Sequence, residues 1–177
     1  MNLAQKKTAL IKRITALKSV LVAFSGGVDS TLLLKIAHDV LTDGVVAVTA
    51  MSALQPAHEA EAAMAQAEAM GVKHVTLHAR ALADTEFVKN EPDRCYRCKR
   101  FLFQDLLPMA HELGLAHVAH GANVDDLKDY RPGFRAAEEL GIVAPLLDAG
   151  LGKQEIRILS RQLKLSTWDK PAMACLA

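Results

Sequence analysis

A glycine pair between an apolar run and a helix-like segment is the feature that most constrains how this chain folds. The run Val20–Phe24 is continuously apolar, and Ser25-Gly26-Gly27-Val28-Asp29-Ser30 follows it directly. Helical character resumes from Ser30 to Leu41. A short, continuous apolar run is typical of a strand that is buried on both faces. The sequence therefore predicts a strand, a tight loop and a helix in immediate succession.

The residues of this loop predict an anion site. Two glycines let the backbone turn sharply and bring consecutive N–H groups close to a phosphate, and the helix N-terminus adds further donors and the positive end of its dipole. The hydroxyl groups of Ser25 and Ser30 can donate to phosphate oxygens. The candidate nucleotide ligands are Ser25, Gly26, Gly27, Val28, Asp29 and Ser30.

Asp29 points to a nucleotide that is bound together with a cation. A carboxylate beside a phosphate is repulsive unless an ion such as Mg²⁺ lies between them, so Asp29 is the candidate metal ligand. The alternative is an ordinary strand-to-helix turn in which Asp29 or Ser30 caps the helix. The loop residues by themselves leave both interpretations open.

Short apolar runs and helix-like segments alternate along the whole chain. This pattern predicts an α/β fold with a parallel sheet covered by helices on both faces, with ligands bound beyond the carboxyl ends of the strands. Pro56 is expected in the first turn of its helix, and Pro108 is expected to kink or divide another. Strands or apolar runs are expected at 20–24, 45–49, 73–77, 117–120 and 142–147, and helices at 3–18, 30–41, 56–70, 96–113, 134–140 and 153–163.

A second polar loop follows the fourth predicted strand and should reach the same edge of the sheet. Gly121 would permit close approach to a nucleotide, Asn123 offers a donor and an acceptor, and Asp125 can bind Mg²⁺ or ribose hydroxyls. Arg131 lies where it could hold a phosphate or a carboxylate with two hydrogen bonds. The alternatives are that the Asn and Asp residues form a turn or a helix cap and that Arg131 pairs with a surface acid.

Length and composition predict one soluble, cytoplasmic domain. The chain has 177 residues, 51% of them apolar, and 21 Lys and Arg residues against 20 Asp and Glu residues. This balance lacks the positive charge that nucleic-acid binding requires, and the chain has no apolar stretch of the roughly 20 residues that a membrane span needs. We therefore expect neither a nucleic acid nor a membrane as partner.

The three cysteines are expected to serve thiol chemistry, metal binding or packing rather than a disulfide framework. Cys95 and Cys98 have the spacing of a redox or metal-binding pair, but a tetrahedral metal site needs four ligands and no second pair exists. A structural role is the alternative. Cys175 lies in an irregular segment, and its composition alone favours a buried apolar cysteine.

The loop Ser25–Ser30 resembles the signature of the ATP pyrophosphatases, the PP-loop superfamily, rather than a Walker loop, which would end in Gly-Lys-Ser/Thr. The resemblance implies a Rossmann-like, doubly wound sheet of about five parallel strands, as in adenine nucleotide alpha-hydrolase-like folds. It also implies that pyrophosphate binds to the loop and that adenine lies near Met51, at the end of the second strand.

Further segments resemble the LarE family of sacrificial sulfur transferases. These are Asp93–Lys99, Gly121–Gly133, Lys153–Arg161 and the cysteine-bearing Trp168–Ala177. The resemblance implies ATP and Mg²⁺ as cofactors, a pyridinium dicarboxylate mononucleotide as substrate, Cys175 as the sulfur donor and a homo-oligomeric state. It further implies a PP-loop domain at 1–165, with 166–177 leading to a smaller C-terminal domain absent from this chain.

In that family the substrate carboxylate is adenylylated, the cysteine thiolate displaces AMP, and carbon–sulfur cleavage leaves a thiocarboxylate on the substrate and dehydroalanine in the protein. The product enters the synthesis of a nickel-pincer nucleotide that lactate racemase uses. Relatives that deliver sulfur from an iron–sulfur cluster are one alternative. Another PP-loop enzyme, such as a tRNA thiolase or an amide-forming synthetase, and a non-catalytic nucleotide-binding module are the others.

Overall fold

The computed structural model describes residues 1–51, 57–78, 94–128 and 133–171. Four strands lie in these ranges, β1 (Val20–Ala23), β2 (Val45–Met51), β3 (Lys73–His78) and β4 (His117–Ala119). Seven α-helices accompany them: α1 (Leu3–Leu17), α2 (Val28–Leu41), α3 (Ala57–Ala69), α4 (Arg94–Glu112), α5 (Gly133–Glu139), α6 (Pro145–Asp148) and α7 (Lys153–Gln162). Two short 3₁₀ helices span Thr42–Gly44 and Val124–Lys128.

The four strands form one parallel sheet in the order β3-β2-β1-β4. In β1, Val20 lies opposite Val45 on one side and His117 on the other, so β1 is an interior strand. The order reverses at β1, because β2 and β3 extend to one side and β4 to the other. The first loop and the second loop follow β1 and β4, which are neighbours at this switch point, where open α/β sheets bind their ligands.

Residues of β1 point alternately into two separate cores. Val20 and Val22 pack with Leu32 of α2 and Ile156 of α7 on one face, whereas Leu21 packs with Phe103 of α4 on the other. Both faces of the sheet are therefore covered by helices, which explains why this strand is continuously apolar. The predicted α/β, doubly wound architecture is confirmed.

The apolar run 142–147 continues the sheet by only one residue pair. Val143 forms an isolated parallel bridge with Ala119, and α6 begins two residues later at Pro145. Proline lacks a backbone N–H group and suits the first turn of a helix, so the chain leaves the sheet there. In the described ranges the sheet thus has four strands and one bridge, where about five strands were expected.

A kink or a division of the helix was expected at Pro108, and the structure rules out the division. The α4 helix is continuous from Arg94 to Glu112, with Pro108 inside it. Pro108 and Gln104, whose carbonyl group loses its helical partner, both lie at exposed positions where water can replace the missing hydrogen bond. The opposite face of the helix buries Phe103, Leu106 and Ala110, and this packing keeps the helix in one piece.

Other helix predictions are confirmed to within a few residues, except that Pro56 lies outside the described residues. No helix in the described ranges is both long enough and apolar enough to cross a membrane.

Candidate functional site

The first loop is a continuation of β1 that is anchored to β2. Phe24 donates its N–H to the carbonyl of Val48 at 2.8 Å, and the Thr49 hydroxyl donates to the Phe24 carbonyl at 2.8 Å. Gly26 then turns the chain with a φ of +67°, a conformation that favours glycine. A Cβ atom on Gly26 would lie 3.2 Å from the Cβ of Ala63, because α3 packs against the turn. The loop therefore has little freedom to rearrange.

The N-terminus of α2 begins in this loop and no side chain in the described part of the chain caps it. Gly27 is the N-cap residue, and Asp29 and Ser30 lie inside the first turn. The alternative in which Asp29 or Ser30 caps the helix is therefore wrong. The N–H groups of an uncapped first turn, together with the helix dipole, are suited to bind an anion.

Two serines tie the ends of the loop together. The Ser25 and Ser30 hydroxyls lie 3.2 Å apart, and Ser30 also donates to the Gly27 carbonyl at 3.2 Å. The Ser25 N–H donates to the Ser30 hydroxyl at 3.3 Å. These contacts hold both hydroxyl groups beside the uncapped helix terminus, where they can rotate to serve a phosphate oxygen.

Asp29 forms an ion pair with Lys153, the first residue of α7. The carboxylate oxygen Oδ2 accepts a hydrogen bond from the Lys153 ammonium group. The other oxygen, Oδ1, is buried without a hydrogen-bond partner in the described structure. Burial raises the pKa of Asp29, and the charge of Asp126 adds to this effect, whereas the hydrogen bond and charge of Lys153 and the charge of Arg157 lower the pKa. Burial outweighs the ion pair, so the ionised carboxylate is held at an energetic cost.

An unpartnered carboxylate oxygen beside an uncapped helix N-terminus fits a Mg²⁺ ion. Mg²⁺ is bound in proteins through one or two carboxylates together with substrate phosphates and water. In the described residues no three His, Cys, Asp or Glu side chains are grouped to hold a metal by themselves. Asp29 Oδ1 can therefore supply a protein ligand to a nucleotide-bound Mg²⁺, but the described residues hold no complete protein metal site.

The second loop packs directly on the first. A Cβ atom on Gly121 would lie 2.9 Å from the backbone nitrogen of Ser30 and 3.2 Å from the carbonyl carbon of Asp29. Position 121 therefore requires glycine because the backbones of the two loops touch there. The sequence had suggested a different reason, a close approach of Gly121 to a nucleotide. The contact brings the ends of β1 and β4 together, as the parallel arrangement predicted.

The polar side chains of the second loop have structural partners. Asn123 is buried, and its side-chain oxygen accepts the Asp125 N–H at 2.9 Å in a local turn. Asp125 in turn accepts the N–H of Lys153 at 2.7 Å and so holds the start of α7. The turn-forming role that the sequence left open is thus present, and nucleotide binding by Asn123 and Asp125 remains a prediction.

Basic residues of α7 and of the chain after it lie at or near the loop, and sequence reasoning did not assign them to the site. Besides Lys153, Lys170 donates to the carbonyl of Gly26 at 3.1 Å. Arg157 donates to the carbonyls of Trp168 and Lys170, both at 2.8 Å. Their signals in the sequence are the family resemblance of the segments that contain them and the four-residue spacing of Lys153 and Arg157, which places these two on one helix face.

Of the remaining candidates, Met51 ends β2 at the same edge of the sheet as the loop and is partly buried. Arg131 and Cys175 lie outside the described residues. Cys95 is exposed near the start of α4, and Cys98 lies one turn further on, partly buried.

His120 follows β4 and lies between two aromatic rings. Its ring centroid is 5.6 Å from that of Phe103 and 6.1 Å from that of Phe134, and its Nε2 atom is buried without a hydrogen-bond partner in the described structure. Burial, with a smaller contribution from the charge of Lys99, lowers the pKa of His120 to about 4. No local sequence pattern around His120 signals this shift.

Curated proteins with similar sequences are longer than this chain. The pyridinium-3,5-bisthiocarboxylic acid mononucleotide synthase of Lactiplantibacillus plantarum is 40% identical over 172 residues, which cover 97% of this chain and 62% of that protein. The uncharacterized protein slr1717 of Synechocystis is 45% identical over 161 residues, 91% of this chain and 60% of its own length. The chain thus spans about three fifths of these relatives.

Solved structures confirm the fold. The NMN synthetase of Francisella tularensis matches with a TM-score of 0.77 over 99% of this chain and 77% of that chain, at 16% identity. The ammonia-dependent NAD synthetase of Campylobacter jejuni, in complex with nitrate, matches with a TM-score of 0.71 over 99% of this chain and 80% of that chain, at 17% identity. At these identities the likeness concerns the fold, which is adenine nucleotide alpha-hydrolase-like.

The similarity to the L. plantarum synthase confirms the resemblance to the LarE family that the cysteine-bearing segment indicated. The family model of the PP-loop domain matches residues 1–129, a range that contains both loops and all four strands. This chain therefore belongs to the PP-loop domain family.

Proposed function

We propose that this chain is the nucleotide-activating and sulfur-donating part of an ATP-dependent sulfur transferase. It adenylylates a carboxylate of a pyridinium dicarboxylate mononucleotide and transfers the sulfur of Cys175, yielding a thiocarboxylate, AMP and pyrophosphate. This reaction would serve nickel-pincer nucleotide synthesis and lactate racemase maturation. The similarity to a synthase named for a bisthiocarboxylic acid mononucleotide supports the proposal.

The contact between Lys170 and the first loop carries the proposal. Lys170 donates to the Gly26 carbonyl at 3.1 Å, and Cys175 follows five residues later in the sequence. Five residues of extended chain span at most about 18 Å. The covalent chain therefore limits how far the cysteine can lie from the nucleotide loop, which favours a reaction between its thiolate and an intermediate formed there.

In the first step a carboxylate oxygen of the substrate attacks the α-phosphorus of ATP, and the bond to the bridging oxygen breaks to release pyrophosphate. The N–H groups at the start of α2 and the hydroxyls of Ser25 and Ser30 bind the departing phosphates, whose negative charge grows during the reaction. Asp29 Oδ1 would hold Mg²⁺, which supplies charge neutralisation of the phosphates when it is bound.

The acyl-adenylate makes the second step feasible because AMP is a far better leaving group than oxide. The Cys175 thiolate attacks the carbonyl carbon, and the carbon–oxygen bond to AMP breaks to form a thioester. Removal of the Cα proton of Cys175 then expels the thiocarboxylate through cleavage of the Cβ–S bond. The protein retains dehydroalanine, and no oxidant or reductant is needed.

Intact protein mass after a single turnover tests this proposal. We expect a loss of one H₂S from the protein, localised to Cys175 and dependent on ATP and a pyridinium dicarboxylate mononucleotide. The Cys175→Ala variant should still release pyrophosphate but form no thiocarboxylate, and the exposed Cys95→Ala variant serves as the matched thiol control. Sulfur transfer by Cys175→Ala at the wild-type rate would remove this cysteine from the mechanism.

Two further outcomes distinguish the alternatives. Protein purified without oxygen that shows cluster absorbance, lost in the Cys175→Ala variant, would favour a cluster as the sulfur source. Release of pyrophosphate with ammonia or tRNA as acceptor, but not with a pyridinium acid, would favour another PP-loop enzyme. Tight nucleotide binding with no pyrophosphate released under any condition would favour a non-catalytic module.

A further inference from the structure

One face of α7 connects the first loop to the chain that follows this helix. Lys153, Arg157 and Arg161 are spaced four residues apart, so they lie along the same side of the helix. Lys153 pairs with Asp29, Arg157 binds two backbone carbonyls, and the Arg161 guanidinium lies 5.1 Å from the Trp168 ring centroid. We call residues 165–171, which the two arginines contact, the connecting segment.

Arg157 holds the connecting segment in a defined orientation. Its Nη1 atom donates to the Trp168 carbonyl and its Nη2 atom to the Lys170 carbonyl, each at 2.8 Å. A planar guanidinium group that binds two carbonyls fixes the backbone direction between them, which a lysine with one ammonium group does not. The contact with Trp168 is exposed, so water could satisfy that carbonyl equally well. The two contacts of Arg157 thus do more than give these carbonyls hydrogen-bond partners: they fix the direction of the connecting segment.

The connecting segment is also bound to the first loop. Lys170, whose carbonyl Arg157 holds, places its own ammonium group on the Gly26 carbonyl at 3.1 Å. Arg157 therefore acts on a short stretch of backbone that contacts the loop at one side chain and precedes Cys175 by five residues. A change in the direction of this backbone would shift the position from which the chain continues toward Cys175.

We propose that Arg157 is a positioning residue that orients the connecting segment so that the Cys175 thiolate reaches the acyl-adenylate at the first loop. This inference rests on the function proposed above. Arg157 acts through the Trp168 and Lys170 carbonyls, and its hydrogen bonds within the described residues go to this segment rather than to the first loop. It is therefore needed for the thiolate attack and much less for adenylylation, which takes place before the cysteine acts.

The test compares two rates in the same protein for the variants Arg157→Ala and Arg157→Lys. Pyrophosphate release in a single turnover reports adenylylation, and the loss of H₂S from the intact protein mass reports sulfur transfer. For Arg157→Ala we expect pyrophosphate release within about threefold of the wild type and sulfur loss slowed by about tenfold or more. Arg157→Lys keeps the charge that acts on Asp29 but not the two-pronged contact, so it should recover only part of the sulfur transfer.

Arg13→Ala, on the exposed side of α1, is the matched control and should leave both rates unchanged. Equal slowing of both rates in Arg157→Ala would overturn the inference in favour of a general structural effect. Full recovery of sulfur transfer by Arg157→Lys would overturn it in favour of an effect of charge alone. Unchanged sulfur loss in Arg157→Ala would also overturn it. If Arg157→Ala does not fold, the Arg157→Lys comparison decides between the same outcomes.

Failure of the proposed function has a different signature. Wild-type protein that releases pyrophosphate but keeps the Cys175 sulfur would overturn the sulfur-transfer proposal, and this inference with it. Wild-type protein that loses the sulfur no faster than Arg157→Ala would overturn this inference alone.

Discussion

Lys153 and Asp29, 124 residues apart in the sequence, form an ion pair that joins the first turn of α7 to the first turn of α2. The pair lies beside the uncapped helix terminus and leaves Asp29 Oδ1 buried and unpartnered within the described residues. The carboxylate is therefore held by one cation, and its second oxygen is the atom that we propose binds Mg²⁺ together with the nucleotide.

Replacement of Asp29 by Asn should change how ATP binding depends on Mg²⁺. With Mg²⁺ present we expect ATP affinity to fall by about tenfold, because the ion loses a charged ligand, and without Mg²⁺ we expect no loss, because repulsion between carboxylate and phosphate is removed. Isothermal titration calorimetry with and without Mg²⁺ measures both. Asp43→Asn, in the exposed turn after α2, is the control. An equal loss under both conditions would show that Asp29 does not act through the metal.

Replacement of Lys153 by Met should destabilise the protein, because it leaves the largely buried Asp29 carboxylate without its cation. We expect a decrease in the free energy of unfolding of about 1–2 kcal/mol, less than for a fully buried pair since both side chains keep some exposure. The double variant Asp29→Asn/Lys153→Met should recover most of this loss. Urea unfolding of the wild type, the two single variants and the double variant gives the coupling energy between Asp29 and Lys153. A coupling energy near zero would contradict a stabilising ion pair.

Replacement of Gly121 by Ala should damage both loops at once. The added methyl group would lie 2.9 Å from the Ser30 backbone nitrogen, so one backbone must move. We expect a loss of about 1–3 kcal/mol in stability and a decrease of about tenfold in ATP affinity. Gly114→Ala is the control: its φ is +69° and it has no atom near the added group, so it should cost about 1 kcal/mol without changing ATP affinity. Equal ATP affinity of the two variants would contradict the prediction.

The partly buried His120 should make the stability of the protein fall in weak acid. Its pKa is about 4 in the folded protein against an ordinary value of 6.5, so between these values only the unfolded chain takes up the proton. The free energy of unfolding therefore keeps its full value above about pH 6.5, where His120 is neutral in both states, and decreases as the pH falls toward 4. Between about pH 7.5 and pH 5 the loss should amount to about 2 kcal/mol.

Urea unfolding at these two pH values checks the prediction. The variant His120→Gln should lose most of this part of the pH dependence, whereas His111→Gln, at an exposed position of α4, should retain it. A pH dependence that is the same in wild type and His120→Gln would assign the acid sensitivity to other groups.

The sequence by itself determined the features that depend on neighbouring residues. The apolar run Val20–Phe24 followed by two glycines indicated a buried strand, a tight loop and a helix, because strand burial and turn formation depend on local side-chain pattern and on the conformational freedom of glycine. The alternation of such units indicated a parallel sheet and its ligand-binding edge. Local pattern did not reveal that the helix continues through Pro108, where its apolar face packs on the core, or that a helix begins at Pro145 within an apolar run.

Only the tertiary structure decided which distant residues meet at the first loop. The contact of Gly121 with Ser30 depends on β4 lying beside β1, and the contacts of Lys153 with Asp29 and of Lys170 with Gly26 depend on how α7 packs on the sheet. The periodicity of a sequence specifies which face of an element is buried but not which element covers it. Strand order and helix packing make that choice, because they minimise exposed apolar surface over the whole chain.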